Sequence, residues 1–452
     1  MMWTLGGVAA ALSIPLASEA TDVAISQVVT DTRQIVPGCL FIALKGPRFD
    51  GHDFVEQARE LGAVAALVEH PVESPLPQLR YPDTRLGLGL LAGAWRRRFT
   101  LPLVAVTGNS GKTTVKEMVA ALLAPLGEVL ATIGNLNNDI GAPLTLLRLG
   151  SQHQAGVIEL GANHLGEIAW TVGLAAPRVA IITNVTGAHV GEFGGMGQIA
   201  QAKSEILSGL DQDGVAIINA DDRYFPFWAA CAAPRRVVSY GVQGNADVNA
   251  SALSCDSQGR YAFTLVVGGE PLGRVTLPLI GKHNVSNALA AAAAALALSV
   301  PAPQVVAGLN RLSALQGRLS VVPGIRGTTL LDDTYNANPG AVKAALDALA
   351  SFPAPRWCAL GAMGELGDES ERLHADVGAY AASLGLDMLL TVGEAAKAAS
   401  DAFGRGLHFD DHETLVRHVI NSLPPDATLL AKGSRSAGME RVIAALRADD
   451  TR

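Results

Sequence analysis

The stretch VTGNSGKTT, from Val106 to Thr114, has the composition of a loop that holds phosphate groups. It follows an apolar run and precedes a helical pattern, so its backbone N–H groups would converge on an anion at the helix N-terminus. Lys112 would reach the β- and γ-phosphates of ATP, and Thr113 would bind Mg²⁺. Position 106 is Val where the strict nucleotide pattern has Gly, which leaves a chance glycine turn as the alternative. We predict an ATP site that comprises Gly108, Asn109, Ser110, Gly111, Lys112, Thr113 and Thr114.

Three residues farther along the chain are candidates for the same site. Glu159 lies near the carboxyl end of a predicted strand, where ligands bind in doubly wound sheets, and its carboxylate suits Mg²⁺. His189 follows another predicted strand in a glycine-rich loop, and Lys203 lies on the helix after it. Each also has an ordinary interpretation, because an isolated Glu or Lys is usually solvated and an isolated His is usually structural.

Two stretches rich in amide side chains, LIGKHNVSNAL and LLDDTYNANPGAV, form the remaining polar clusters. Their side chains are of the kinds that pair with an adenine edge, a ribose or a peptide. Helix capping is the alternative, since Asn and Asp also cap helices well. The Asn-Pro pair marks a turn into a helix that begins near Gly340.

Alternating strand and helix patterns predict the sheet that must position these residues. After Pro102, the apolar runs LVAVTG, AGVIELG, VAIITNV and GVAIINADD alternate with helical patterns, which favours a mostly parallel, doubly wound sheet. Between about 236 and 280 the pattern becomes hairpin-like, and a long Ala-rich helix follows. A third alternating block begins near 317. At the N-terminus, Leu5, Val8 and Leu12 fit one face of a helix with Thr4 as its N-cap.

Length, charge and cysteine spacing limit the classes of protein to which the chain can belong. A chain of 452 residues is long enough for about three domains, and its net charge of −8 gives no indication of a nucleic-acid partner. The four cysteines are widely separated, which argues against a disulfide framework or a structural zinc site. The apolar N-terminal segment has no basic residue before Arg33, unlike a signal peptide, and the Ala-rich run at 291–299 is too short to span a bilayer. We expect a cytoplasmic enzyme with no membrane or nucleic-acid partner.

Five stretches, in this order, resemble the Mur ligases, the ATP-dependent amide-bond-forming enzymes of peptidoglycan synthesis: DTRQIVPGCLFIALKGPRFDGHDF, GNLNNDIGAPLTLL, DDTYNANP, LGAMGELG and AKGSR. The resemblance covers essentially the whole chain and is strongest to the branch that joins D-alanyl-D-alanine to UDP-N-acetylmuramoyl-tripeptide (UDP-MurNAc-tripeptide). It implies an α/β, three-domain architecture. Residues 1–98 would bind the UDP-sugar, 99–315 would form a central P-loop ATPase sheet, and 316–452 would form a Rossmann-like domain that contributes to D-alanyl-D-alanine and ATP binding.

The resemblance also implies roles for individual residues. Catalysis would involve Lys112, His189 and Lys203, and two Mg²⁺ ions would be held by Thr113, Glu159, His189 and Lys203. Lys203 would serve as a carbamate, because an ammonium repels Mg²⁺ whereas reaction with CO₂ gives an anionic ligand. ATP would further contact Asn287, Arg318, Asp333, Tyr335 and Asn336. Substrate contacts would come from Asp31, Thr32, Arg33, Arg48, Asp50 and His52 for the uridine nucleotide, and from Asn135, Asn137, Asn138 and Asn338.

The chemistry that the resemblance implies has two steps. The tripeptide carboxylate attacks the γ-phosphate to give an acyl phosphate and ADP, and the amine of D-alanyl-D-alanine then displaces phosphate. Because an acyl phosphate hydrolyses readily, we expect the third block to close over the ATP site. The resemblance also implies a monomer.

Two other functions remain open at this point. The first is another ligase of the superfamily, such as MurE or a folylpolyglutamate synthetase, although GNLNNDIG and DDTYNANP favour the D-alanyl-D-alanine branch and the D-N-P-R stretch of MurE is missing. The second is a P-loop ATPase that couples hydrolysis to motion or binding. Such a switch would leave the UDP-sugar pattern of the first block without a purpose.

Overall fold

The computed structural model describes residues 3–16, 21–186 and 195–448. Within them the chain forms one two-stranded pair and three larger sheets, which follow one another along the sequence. His189 lies outside the described residues, so its predicted role stays a prediction.

The first block carries a small parallel sheet. β1 pairs with β2 in antiparallel fashion, and β3 to β6 form the parallel sheet in chain order. The N-terminal helix is confirmed, because the Thr4 hydroxyl accepts from the Gly7 N–H at 3.1 Å and caps it. The elements are β1 Trp3–Thr4, α1 Leu5–Leu12, β2 Ala24–Ile25, β3 Val28–Val29, β4 Leu40–Ile42, α2 Val55–Glu60, β5 Ala65–Val68, β6 Gln78–Arg80 and α3 Thr84–Arg96.

The central block carries the largest sheet of the described chain, with the strand order β15-β14-β13-β12-β11-β10-β7-β9-β8. It is parallel from β8 to β13 and antiparallel from β13 to β15. The hairpin is confirmed, but the predicted start near 236 is wrong, because the strand Arg236–Gly241 continues the parallel sheet beside β11. The strands are β7 Leu103–Thr107, β8 Glu128–Ala131, β9 His153–Glu159, β10 Val179–Ile182, β11 Val215–Asn219, β12 Arg236–Gly241, β13 Val248–Cys255, β14 Arg260–Val267 and β15 Glu270–Ile280. The helices are α4 Lys112–Leu123, α5 Gly141–Leu146, α6 Glu167–Ala175, α7 Met196–Ser204, α8 Phe225–Ala232, α9 His283–Ala297 and α10 Ala302–Asn310.

The third block carries a sheet with the order β16-β17-β21-β18-β19-β20, in which β16 is antiparallel to β17 and the other pairs are parallel. Its strands are β16 Ser320–Pro323, β17 Thr329–Asp333, β18 Arg356–Gly361, β19 Met388–Val392, β20 Leu407–Phe409 and β21 Thr428–Lys432. Its helices are α11 Pro339–Ala350, α12 Ser370–Ser383, α13 Lys397–Phe403, α14 His412–Ser422 and α15 Glu440–Leu446. The block boundaries that we predicted near 98 and 315 stay predictions.

Helices cover both faces of the central sheet. On one face, α3 of the first block packs with α5 and α6 in a shared core, and on the other face α4 and the Ala-rich α9 pack together. All residues of β7 and β10 are buried, as expected for inner strands of a parallel sheet. Among the helices that the structure describes, none is long and apolar enough to cross a membrane.

Candidate active site

The carboxyl ends of β7, β9 and β10 open into a cavity of about 1080 Å³ that lies between the central and third blocks. Ligands of doubly wound sheets bind at this edge. Most of the residues predicted for ATP, metal and peptide line this cavity. They are Asn109, Ser110, Gly111, Lys112, Thr113, Thr114, Asn135, Asn137, Asn138, Glu159, Lys203, Asn287, Arg318, Asp333, Tyr335, Asn336 and Asn338.

The loop between β7 and α4 requires glycine at two positions. Gly108 has a φ of 144°, and a Cβ there would lie 1.9 Å from the Thr183 hydroxyl. Gly111 has a φ of 83°, and a Cβ there would lie 2.5 Å from the Asn287 amide oxygen. Since real Cβ atoms do not approach so closely, any side chain would push the loop away from its neighbours. The loop is therefore built by close backbone packing, as phosphate loops are.

Asn184, a residue that the sequence analysis did not single out, holds this loop in shape. Its side-chain oxygen accepts from the Ser110 N–H at 3.0 Å, and its side-chain nitrogen donates to the Ser110 carbonyl at 3.1 Å. Its own carbonyl accepts from the Asn109 N–H at 3.0 Å. Asn184 comes just after β10, and β10 is the neighbour of β7 in the sheet. A polar residue at the end of a parallel strand is a candidate for a ligand site, but its relation to the phosphate loop depends on which strands are neighbours.

The two residues predicted to contact phosphate and metal begin α4. The Lys112 ammonium donates to the carbonyls of Gly108 and Asn109 at 2.8 and 3.2 Å, so it lies across the loop. The Thr113 hydroxyl accepts from the Arg318 guanidinium at 3.0 Å. The structure thus brings Arg318 of the third block directly to the phosphate loop.

Glu159 ends β9 with its carboxylate buried beside the phosphate loop. One carboxylate oxygen accepts from the Asn137 side-chain amide at 2.8 Å, and the backbone N–H donates to the Thr132 hydroxyl at 3.0 Å. The other oxygen is buried with no hydrogen-bond partner among the described residues. Desolvation lowers the pKa of Lys112, and the negative charge of Glu159 acts in the opposite direction.

These oxygens fit a magnesium ion. The orphaned Glu159 oxygen and the Thr113 hydroxyl line one cavity and are the hard donors that Mg²⁺ prefers. The part of the chain that the structure describes holds no cluster of three or more His, Cys, Asp or Glu that would form an all-protein metal site. Mg²⁺ commonly takes one or two protein ligands together with phosphate oxygens and water, so the Glu159 oxygen and the Thr113 hydroxyl are a sufficient protein contribution.

Lys203, on α7, is not the solvated lysine that its residue type alone would indicate, because only 2% of it is exposed. Burial, followed by the positive charge of Lys112, lowers the pKa of Lys203 to about 7, although the charges of Glu205 and Glu167 act in the opposite direction. A substantial fraction of this amine is therefore neutral near pH 7, which is the form that reacts with CO₂.

The amide residues of α9 form a chain of hydrogen bonds at the cavity wall. The Asn287 side chain donates to the Asn284 side chain at 2.9 Å, and Asn284 donates to the Ile280 carbonyl at 2.8 Å. These bonds hold the Asn287 side chain against Gly111 of the phosphate loop. The contact of Asn287 with ATP stays a prediction.

The third block supplies a second set of cavity residues. The Arg318 guanidinium stacks on the Tyr335 ring, 4.1 Å from its centroid. Asp333, at the end of β17, pairs at 2.5 Å with Lys432, which ends the neighbouring β21 and is 2% exposed. Lys432 also donates to the Asn336 carbonyl at 2.9 Å. The sequence analysis noted the stretch around Lys432 but missed this ion pair, since nothing local in the sequence signals a buried lysine.

Asn338 caps a helix, which is the alternative that the sequence left open, and its predicted substrate contact stays a prediction. Its side-chain oxygen caps α11 by accepting from the Ala341 N–H at 2.9 Å, and Pro339 takes the first helical position. Its side-chain nitrogen donates to the Ser110 hydroxyl of the phosphate loop at 3.2 Å. A single side chain therefore caps a helix of the third block and contacts the central block.

The loop between β8 and α5 lines the cavity with Asn135, Asn137 and Asn138. Asn137 holds Glu159, as described above, whereas the side-chain oxygen of Asn138 accepts from the N–H of Gly141, the first residue of α5, at 2.8 Å. Asn137 is thus the member of this loop that bears directly on the candidate metal site.

The residues predicted for the uridine nucleotide lie outside this cavity. The carboxylate of Asp31 pairs with the Arg33 guanidinium at 2.6 Å, and this hydrogen-bonded pair lowers the pKa of Asp31. The His52 ring donates to Asp50 at 2.6 Å and accepts from the Glu69 N–H at 2.9 Å. None of the six residues predicted for the uridine nucleotide lines the cavity, and Gly108 of the phosphate loop is not among the lining residues either; the six are Asp31, Thr32, Arg33, Arg48, Asp50 and His52.

Comparison with known proteins gives the class of this chain. Three family models match it in succession: the Mur ligase family catalytic domain over residues 24–121, the Mur ligase middle domain over 106–295, and the Mur ligase glutamate ligase domain over 317–435. Together they span most of the sequence. The chain belongs to the Mur ligase family, and it is therefore an enzyme of the ligase class.

The relatives of the chain indicate which branch of the Mur ligase family it most resembles. It is 46% identical over 438 residues to UDP-N-acetylmuramoyl-tripeptide–D-alanyl-D-alanine ligase of Escherichia coli, with 96% of each chain covered. Its fold matches the crystal structure of MurF from Acinetobacter baumannii with a TM-score of 0.91 and 38% identity, covering 98% of both chains. It also matches the MurF ligase of Thermotoga maritima in complex with ADP, with a TM-score of 0.84 and 28% identity over 93% of this chain and 96% of that one. Within the family the chain is thus most similar to MurF, as the sequence stretches predicted.

Proposed function

We propose that this chain joins the amine of D-alanyl-D-alanine to the terminal carboxylate of UDP-MurNAc-tripeptide, with cleavage of ATP to ADP and phosphate. The product is the UDP-MurNAc-pentapeptide. The observation that carries this proposal is that the phosphate loop, the Glu159 carboxylate and residues of the third block all line the same cavity. Such an arrangement suits a reaction in which a second substrate attacks ATP, because groups from two blocks surround the same phosphate site.

The residues of this cavity would first neutralise charge. The tripeptide carboxylate and the γ-phosphate are both anionic, so their approach needs cations and N–H donors around them. Lys112 and the N-terminus of α4 supply these from the central block, and Arg318 supplies a further cation from the third. When bound beside Thr113 and Glu159, Mg²⁺ would add Lewis-acid stabilisation of the phosphate oxygens.

The reaction then proceeds in two steps that need no reactant besides ATP, the tripeptide and the dipeptide. A carboxylate oxygen forms a bond to the γ-phosphorus while the bond to ADP breaks. The free amine of the dipeptide next attacks the carbonyl of the acyl phosphate, the bond from that carbon to the phosphate oxygen breaks, and the proton that the nitrogen loses passes to the departing phosphate or to solvent. Contacts of Arg318 and Asn338 with the phosphate loop support a role of the third block in shielding this intermediate from water.

We also propose that Lys203 acts as a carbamate and that a second metal site includes it. Its burial in the wall of the cavity that Glu159 also lines supports this proposal, because a buried ammonium beside Lys112 is electrostatically unfavourable whereas a carbamate there is not. A uridine nucleotide held by the first block, a monomeric state and a cytoplasmic location complete the proposal and rest on the family resemblance.

The test is phosphate release from ATP in the presence of UDP-MurNAc-tripeptide, with and without D-alanyl-D-alanine. We expect release to depend on both substrates and the amide product to be visible by mass, while Lys112→Met serves as the inactive control. Offering diaminopimelate, lysine or glutamate in place of the dipeptide distinguishes the other ligases of the superfamily. Release that ignores every amine would favour the ATPase-switch function and contradict the proposal.

A further inference from the structure

Lys116 is a buried cation for which the proposed function gives no role. It lies on α4, one turn after Lys112, and is 1% exposed. Its ammonium donates to the Thr132 carbonyl at 2.7 Å and lies 2.6 Å from the carboxylate of the adjacent Glu117. A lysine in the interior is unfavourable unless its charge and donors are satisfied, so an apolar side chain would be the simpler choice for packing alone.

The bond to Thr132 joins two elements that are separate in the fold. Thr132 directly follows β8, whereas Lys116 lies in the helix that presents the phosphate loop. Glu117 is the next residue on the same helix, and its side chain is 41% exposed. The contact between Lys116 and Thr132 therefore ties the start of the chain after β8 to α4.

Thr132 in turn holds Glu159. Its hydroxyl accepts from the Glu159 N–H at 3.0 Å, and its own N–H donates to the Val157 carbonyl at 3.2 Å. Thr132 also begins the segment that carries Asn137, whose amide donates to the Glu159 carboxylate at 2.8 Å. The backbone and the side chain of Glu159 are thus both held by the segment that Lys116 anchors.

We propose that Lys116 is a positioning residue that acts through Thr132 to fix the Glu159 carboxylate relative to the Thr113 hydroxyl. One helix then sets both oxygen donors of the candidate magnesium site, because Thr113 begins α4 and Lys116 lies in its next turn. This inference rests on the proposed function, since it gives Lys116 a purpose only if Glu159 and Thr113 bind metal with the nucleotide.

The test measures the binding of Mn²⁺ to the protein with ADP, by electron paramagnetic resonance of the free ion. Lys116→Met keeps the length and apolar character of the side chain but removes the donor, and we expect about tenfold weaker Mn²⁺ binding. Lys116→Arg keeps a donor and is expected to recover most of the affinity. The Mg²⁺ concentration that gives half-maximal turnover should rise in parallel for Lys116→Met, with an unchanged KM for D-alanyl-D-alanine.

A matched control separates positioning from stability. Val119→Ala removes buried volume from the same helix but keeps the Lys116 donor and the Thr132 hydroxyl, so it lowers stability and should leave Mn²⁺ affinity unchanged. Equal weakening by Val119→Ala at an equal loss of stability would overturn the inference, as would wild-type affinity in Lys116→Met.

A second pair of variants tests the link from the Thr132 hydroxyl to Glu159, through which Lys116 is proposed to act, and remains available if Lys116→Met does not fold. Thr132→Val removes the hydroxyl that holds Glu159 and should weaken Mn²⁺ binding, and Thr132→Ser should restore it; Thr132→Val with wild-type affinity would overturn the inference. Wild-type protein that binds no Mn²⁺ with ADP would contradict the proposed metal site itself. Wild-type binding that none of these variants alters would contradict only the role of Lys116.

Discussion

Asn338 offers a prediction in which one side chain has two separable interactions. Its oxygen caps α11 at 2.9 Å from the Ala341 N–H, and its nitrogen donates to the Ser110 hydroxyl at 3.2 Å. Loss of a helix cap costs about 1 kcal/mol, and loss of a neutral hydrogen bond costs about 0.5–1.5 kcal/mol. Asn338→Ala should therefore destabilise the start of α11 by about 2 kcal/mol. Asn338→Ser, which caps as well as Asn but is too short to reach Ser110, should cost about half as much.

Hydrogen exchange of the peptide that covers α11 measures the first interaction. A loss of about 2 kcal/mol corresponds to roughly thirtyfold faster exchange for Asn338→Ala, and about 1 kcal/mol to roughly fivefold for Asn338→Ser. The KM for ATP measures the second interaction, and it should rise by the same few-fold factor in both variants, since both lose the bond to Ser110. Equal exchange in the two variants would refute the capping argument. An ATP KM unchanged in both would refute the argument that this contact supports the nucleotide site.

Three further predictions concern buried charged or titratable groups. Lys203→Ala should lower turnover at least about a hundredfold, and formate or acetate should restore part of it by replacing the carbamate oxygens; full activity of the alanine variant would exclude the carbamate. Lys432→Met should destabilise the fold by about 3–5 kcal/mol because it leaves Asp333 without its cation, and Asp333→Asn in the same chain should recover most of the loss in urea unfolding. Burial lowers the pKa of His374, so the unfolded chain binds the proton more readily and stability should fall as the pH drops below about 6.5. His374→Gln should flatten the pH dependence of the unfolding free energy below pH 6.5, and an unchanged slope would contradict this.

The local sequence was enough to predict the sheet and the residues of the phosphate loop. Strand and helix patterns are periodic over short windows, and Lys112 and Glu159 each lie at a recognisable position relative to a strand end. Burial of individual lysines was not predictable in this way. Lys432 is buried against Asp333, which lies 99 residues away, and Lys116 donates to a backbone carbonyl that only the packing of α4 beside β8 brings to it. Asn184 was missed for the same reason, because an isolated Asn after a strand gains meaning only when the neighbouring strand is known.

The position of the third block also could not be predicted from local sequence, because it depends on long-range contacts. The stretch DDTYNANP predicted a turn and a helix, and both are present, but the contact of Asn338 with Ser110 spans more than two hundred residues of sequence. Such a contact has no local signature. The resemblance to the Mur ligases supplied this information, since it placed the third block near ATP before any distance was known.

The most direct test of the central claim is the transfer of oxygen from the tripeptide to phosphate. With UDP-MurNAc-tripeptide carrying ¹⁸O at its terminal carboxylate, ATP and D-alanyl-D-alanine, the acyl-phosphate route moves one labelled oxygen into each phosphate released. We predict that mass analysis of the phosphate finds this label in proportion to the amide formed. Unlabelled phosphate alongside amide product, or phosphate released without amide, would show that the loop at Gly108–Thr114 does not drive amide-bond formation in the way proposed.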